Sequence, residues 1–257
     1  MKKLIVLSLA ALFCLPLSSY AASIGGTETQ GQGKLAIGLD QEILFDRDMK
    51  VKSMEPNSGA ENNVNIDNEY RTVVKASYGV LDNLDIYVKL GTADFETKNN
   101  WSDPADTGTI KNKTKNAFAY GMGIKGTYSL KNDWLIGADL QYLTHKNKYK
   151  GSLINETSPA SSEDFSGKMN VQEWQAAPYI AKKIENFVPY IGVKYSDLRI
   201  EDKFTLSVGD IKSKMKASDN VGVFLGTDYK LGKNWKLNME GRFIDETAMS
   251  FGATYKL

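Results

Sequence analysis

The chain has 257 residues, with 32 Lys and Arg against 31 Asp and Glu, a formal charge of +1. That length corresponds to one or two domains, and the near-neutral balance argues against a nucleic-acid binder, whose affinity rests on a surplus of cations. Hydrophobic residues make up 42%, and 22 Gly and 13 Tyr stand beside only 6 Pro, a mixture that suits many short strands joined by polar turns better than helices.

At the N-terminus, Lys2 and Lys3 precede an apolar run over 4–17, and Ser19 and Ala21 occupy the minus-three and minus-one positions of a cleavage site. Residues 1–21 therefore read as a secretory signal peptide, since the run is shorter than the ~20 residues a spanning helix needs. Its removal takes the formal charge from +1 to −1, because Lys2 and Lys3 are the only charged residues before Ala22. The single cysteine, Cys14, lies inside it, so the mature chain is read as having neither disulfide nor thiolate chemistry.

From residue 34 onward the hydropathy alternates with period two. Trp134, Ile136, Ala138, Leu140 and Tyr142 share one face of a ribbon, and Trp235, Leu237, Met239, Gly241 and Phe243 share another, opposite Lys236, Asn238, Glu240 and Arg242. Successive side chains of a strand point to opposite faces, so this is strand periodicity. The pattern predicts strands near 34–45, 68–80, 84–95, 116–130, 134–145, 170–182, 187–198, 219–231, 235–244 and 248–257, most of them close to the ~9–11 residues with which a tilted strand crosses a bilayer. Short turns are expected at Leu81–Asn83, Lys131–Asp133, Lys183–Asn186 and Gly232–Asn234. Long polar loops are expected over 46–67, 96–115, 146–169 and 199–218, with a short one at 245–247. Tyr78, Tyr128, Tyr179 and Tyr229 recur every 50 or 51 residues, each just before a short turn. Most of them, with Trp134, Trp235 and Tyr255, would form an aromatic girdle at one membrane interface. Tyr179 falls on the inward parity unless a bulge intervenes.

The expected fold is thus all-β: a closed, antiparallel, up-and-down transmembrane β-barrel of about 10 strands over 34–257, after a short periplasmic segment at 22–33. The competing reading is a secreted or periplasmic β-sandwich, which would not gather long aromatics beside the turns or alternate its connections so strictly in length. The last residues, Met249, Phe251, Ala253, Tyr255 and Leu257, alternate up to the end, and with the signal peptide and the ten strands the chain resembles the small outer-membrane β-barrel proteins of Gram-negative bacteria. Leu257 departs from the family's usual terminal Phe. The resemblance implies periplasmic chaperones and the barrel assembly machinery as partners in biogenesis, and outer-membrane lipids and lipopolysaccharide as surroundings. It places the protein in the outer membrane; an even strand number puts both termini in the periplasm.

Inward positions carry both signs of charge, with Lys125 expected opposite Asp139, and so disfavour a strongly ion-selective pore. The only histidine, His145, has no neighbouring Asp and no Ser two residues on, and reads as a solvated rim residue. Asn62, Asn63, Asn65, Asp67, Asn68 and Glu69 offer oxygens for Ca²⁺ but lack a calcium loop's glycine and spacing. Trp101 and Phe165 stand alone in long loops. Lys111, Lys113, Lys115, Lys146, Lys148 and Lys150 place positive charge near the outer rim, within reach of lipopolysaccharide phosphates. No catalytic, cofactor-binding or metal residue is assigned, and no cofactor. The expected function is that of a non-enzymatic structural or surface-interaction barrel that meets an extracellular ligand through four long loops. The alternatives are a narrow channel for small polar solutes and a rim-located hydrolase.

Overall fold

In a computed structural model the chain is described over residues 23–56, 61–102, 106–207 and 209–257, with 61–63 described for the backbone alone. The expected signal peptide lies outside these residues. Among them run β1 (Leu35–Glu55), β2 (Glu61–Leu81), β3 (Leu84–Ser102), β4 (Thr107–Thr114), β5 (Ala117–Ser129), β6 (Trp134–Asn155), β7 (Glu163–Lys182), β8 (Phe187–Leu206), β9 (Gly209–Ala217), β10 (Val221–Leu231), β11 (Trp235–Phe243) and β12 (Thr247–Lys256). Each strand pairs antiparallel with its neighbours, and β1 pairs with β12, so the sheet closes on itself.

β4 and β5 are two stretches of one crossing, both lying between β3 and β6, and β9 and β10 are likewise two stretches beside β8. The cylinder therefore has ten crossings, as the alternation predicts. Beyond the end of the short β11–β12 hairpin the order changes: β1 leaves β12 and pairs directly with β9, with Met49 opposite Ala217 and Val51 opposite Met215. A ten-stranded barrel thus continues into an eight-stranded extension. Register shifts between Leu44 and Asp46 and between Ile66 and Asn68 mark β-bulges at that level. A bulge inserts an extra residue and switches which parity faces in.

The long polar loops of the sequence reading are corrected here: 46–67, 96–115, 146–169 and 199–218 are mostly strand. In the ten-stranded part the exterior is apolar and the interior charged. In the extension this inverts. Leu44, Met49, Val64, Ile66, Phe95, Tyr149, Phe165, Met169, Val171, Leu198, Ile200, Phe204, Met215 and Ala217 fill its inside as one core, while Lys50, Lys98, Lys111, Lys148 and Lys203 point out. Polar residues placed every second position made these segments look like loops. Phe165 and Trp101 are strand residues, and Phe165 packs between Tyr149 and Phe204 in the core.

The apolar exterior belt is bounded by aromatics at both ends. Tyr78, Tyr128, Trp134, Trp235 and Tyr255 stand exposed near the turns, and Tyr70, Tyr120, Tyr195 and Phe243 near the extension. On one strand after another the two rings are eight residues apart (Tyr70 and Tyr78, Tyr120 and Tyr128, Trp134 and Tyr142, Phe187 and Tyr195, Trp235 and Phe243), about 26 Å along a strand and about 20 Å along the barrel axis at a ~40° tilt. That is close to the ~25 Å apolar band of outer-membrane barrels.

Candidate functional site

The features that decide function are what fills the lumen and what covers the extension. The lumen is occupied in three layers. At the turn end, residues 23–30 of the segment expected to stand in the periplasm (22–33) instead enter the barrel, while Gln32 and Gly33 stay exposed. Ser23, Ile24 and Thr27 are fully buried. Thr27 donates through N and Oγ1 to Asp228 at 2.8 and 2.9 Å, and the Gln30 N–H reaches both oxygens of Asp85 at 3.1 Å. Lys125 Nζ donates to the carbonyls of Ile24 and Gly26. Tyr179 faces inward with no bulge, its hydroxyl on the Thr27 carbonyl at 2.7 Å. Lys125 lies opposite Asp139 as expected, at 3.8 Å.

Above this plug lies a layer of buried charge. Arg47 bonds Glu173 at 2.8 Å and Glu246 at 3.1 Å; Arg71 reaches Glu42 and Glu69, each at 3.3 Å; Arg242 meets Glu240 at 2.9 Å; Lys194 binds Asp245 at 3.0 Å and also Glu246. Asp245 and Glu246 come from the tip of the β11–β12 hairpin, in the segment read as the short loop 245–247. Buried charges are tolerated only when paired, and here the hairpin tip completes the pairing. The apolar core of the extension is the third layer. Two cavities inside the barrel, one beside the plug and one at the charged layer, hold about 10 Å³ each, room for about one water apiece.

His145 belongs to the buried interior and not to a solvated rim. Its Nδ1 lies 2.5 Å from Asn147 Oδ1, its Nε2 3.7 Å from Glu69 Oε1, and Phe95 stands edge-on to the ring. The hydrolase alternative needed this side chain at the rim. The oxygen-rich run ending at Glu69 lies on a strand and not in a loop: Glu69 faces the charged layer, whereas Asp67 sits at the bulge.

The exterior of the extension is basic. Lys111, Lys113, Lys115, Lys146, Lys148 and Lys150 are all exposed, as expected, and the structure adds Lys168, Lys203 and Lys212 from β7, β8 and β9. Sequence reading missed Lys168 and Lys203 because each stands alone in its own segment, and passed over Lys212 although Lys214 and Lys216 follow it at alternate positions; only sheet register brings the three into line with Lys148.

No family model matches the chain. It is 23% identical to the major outer membrane porin, serovar B, of Chlamydia trachomatis, over 59% of this chain and 54% of the porin, so that it spans about half the length of that relative. Among solved structures it is similar to the outer membrane protease OmpT from Escherichia coli, with a TM-score of 0.55 at 12% identity over 87% of this chain and 97% of that one. The translocator domain of the autotransporter NalP from Neisseria meningitidis matches with a TM-score of 0.43 at 13% identity, over 88% and 89% of the two chains. The likeness to OmpT corrects the expectation that the protein is not an enzyme: the barrel is shared with a protease, so its architecture does not exclude catalysis. A closed antiparallel barrel with an apolar belt, similar in fold to OmpT, has the architecture of an outer-membrane β-barrel.

Proposed function

We propose that this outer-membrane barrel is a sealed scaffold that presents the eight-stranded extension at the cell surface as an interaction surface, with both termini on the periplasmic side. The observation that carries the reading is the filled lumen. Plug, charge layer and apolar core follow one another along the axis, and the cavities beside the plug and at the charged layer hold about 10 Å³ each, whereas a solute path needs connected water. The extension supports the other half. It is too polar outside for lipid and is packed inside like a soluble domain, which suits a rigid platform standing clear of the membrane.

Planar-bilayer recording on the folded protein tests the reading. No conductance steps above background are expected; regular steps would replace the sealed scaffold with the narrow-channel reading, to which the porin likeness lends its support. Protease treatment of intact cells tests the orientation, with cleavage expected in the extension and protection expected at the C-terminal Leu257.

A further inference from the structure

We propose that the outward face of β4, β6, β7, β8 and β9 binds the phosphate-bearing core saccharide of surrounding lipopolysaccharide. The proposal rests on the reading that the extension stands at the cell surface, and it adds the ligand chemistry. Sheet register brings one lysine from each of four successive strands into a single row. Lys148 lies opposite Lys168, Lys168 opposite Lys203, and Lys203 opposite Lys212. Lys115 extends the row, its N–H bonded to the Lys148 carbonyl at 2.8 Å. All five are exposed. With strands about 4.8 Å apart, the row is about 19 Å long.

Like charges directly opposite each other destabilise a sheet. Elsewhere on the same surface some lysines have an acid across from them, Lys113 meeting Glu96 at 2.5 Å and Lys214 meeting Glu201 at 4.0 Å, while Lys98 and Lys111, and Lys50 and Lys216, also stand opposite each other. Among the described residues no salt bridge reaches the five lysines of the row. They line an open depression of about 550 Å³ together with Lys150; the one acid on its border, Asp210, accepts a hydrogen bond from Thr205 at 2.7 Å. A second depression of about 650 Å³, lined by Lys98, Lys111 and Lys113, shares Lys150 with the first. Such an arrangement costs stability when empty and recovers it when phosphates, which lysines bind as point charges, sit between the ammonium groups.

Height selects the source of the phosphate. Lys148 is six residues beyond Tyr142, and Lys168 is six before Trp174, the two rings 4.6 Å apart and tilted at 43° at the interface. Six residues are about 20 Å of strand and about 15 Å of height at a ~40° tilt. Phosphates at the interface are then further away than the ~8 Å Debye length, so the ligand must carry its phosphate on sugars that rise above the headgroups.

The test uses the folded protein in phosphatidylcholine nanodiscs, titrated with rough lipopolysaccharide bearing a phosphorylated core, with the same preparation dephosphorylated by hydrofluoric acid, and with inorganic phosphate. Dephosphorylation, or the triple change Lys148→Gln, Lys168→Gln and Lys203→Gln, should weaken binding at least tenfold. The pair Lys50→Gln and Lys214→Gln should stay within twofold of the parent, and inorganic phosphate should compete only at millimolar concentration. The triple variant should also unfold at a higher temperature than the parent at low salt, and intact lipopolysaccharide should raise the parent alone. Equal binding of dephosphorylated material, unaltered binding by the triple variant, or phosphate binding as tight as lipopolysaccharide would each overturn the proposal. Conductance of the same preparations separates the two readings: steps with phosphate-dependent binding intact would sink the sealed scaffold only, and a silent bilayer without phosphate dependence would sink the lysine site only.

Discussion

Gly137 sits under the ring of Tyr179, and Gly123 and Gly226 lie likewise under Tyr87 and Tyr190. In each case an inward aromatic fills the space that a side chain on the next strand would need. Gly137→Val would therefore drive the Tyr179 ring off its bond to Thr27, and a lower unfolding temperature in a heat-modifiability gel is expected. Leu237 and Asn238 illustrate the two faces. Leu237→Arg, two residues inside the Trp235 ring, should cost about 1–3 kcal/mol in refolding, between the small cost of a cation near the interface and the ~2–4 kcal/mol at mid-membrane. The alternation alone marks Asn238 as freely exchangeable, but its amide donates to Asp228 at 2.7 Å and to the Tyr190 hydroxyl at 2.9 Å, so Asn238→Arg should fail as well. In the extension core, burial pushes the Asp202 carboxyl up to about 7, against the smaller opposing pull of its bond from Tyr149 at 2.9 Å. A carboxyl whose folded value lies above its ordinary one near 4 holds its proton longer when folded. Its effect on stability is therefore favourable at low pH and is lost as pH rises from about 4 to about 7, after which the curve flattens. Thermal unfolding across that window should show the decline, and Asp202→Asn should remove it.

At the scale of elements, the β11–β12 hairpin decides the change from ten strands to eight. It ends at Phe243 and Thr247, while β1 and β8 continue past it, so β1 must find β9. The bulges on β1 and β2 at that level turn odd and even positions over, which places Met49 and Ile66 inside the extension where the same parity below carried outward residues. The extension then stands on its own core. Phe204→Ala should cost ~3–5 kcal/mol, as large aromatic truncations do, and should speed cleavage of the extension by protease relative to the parent while the membrane-embedded part keeps its heat-modifiable shift.

For the molecule as a whole, the proposed seal is distributed over three layers. Deleting 23–30 strips Lys125 of the Ile24 and Gly26 carbonyls and Asp228 of its Thr27 donors. The expected result is a barrel that melts earlier yet stays silent in a bilayer, because the charged layer and the apolar core remain. Conductance after that deletion would show that the plug alone closes the path.

Alternation of side chains was sufficient to read ten crossings, the closed barrel and the Lys125–Asp139 pair, because period two is a local property that any strand displays and lipid selects. The second aromatic ring went unread, although the eight-residue spacing from Tyr78 back to Tyr70 and from Trp134 on to Tyr142 carries it. The extension was not. Its strands carry their apolar residues inward and sparsely, so 146–169 and 199–218 look like polar loops until the two bulges and the short last hairpin bring them into register. His145 looked like a rim residue because it ends a predicted strand, and the continuation of β6 buries it. The lysine row is wholly tertiary: Lys148, Lys168, Lys203 and Lys212 are scattered along the chain and become neighbours only when four strands align. Local patterns follow from which face a residue takes, whereas neighbourhood across strands depends on register, and register is set by closure of the whole cylinder.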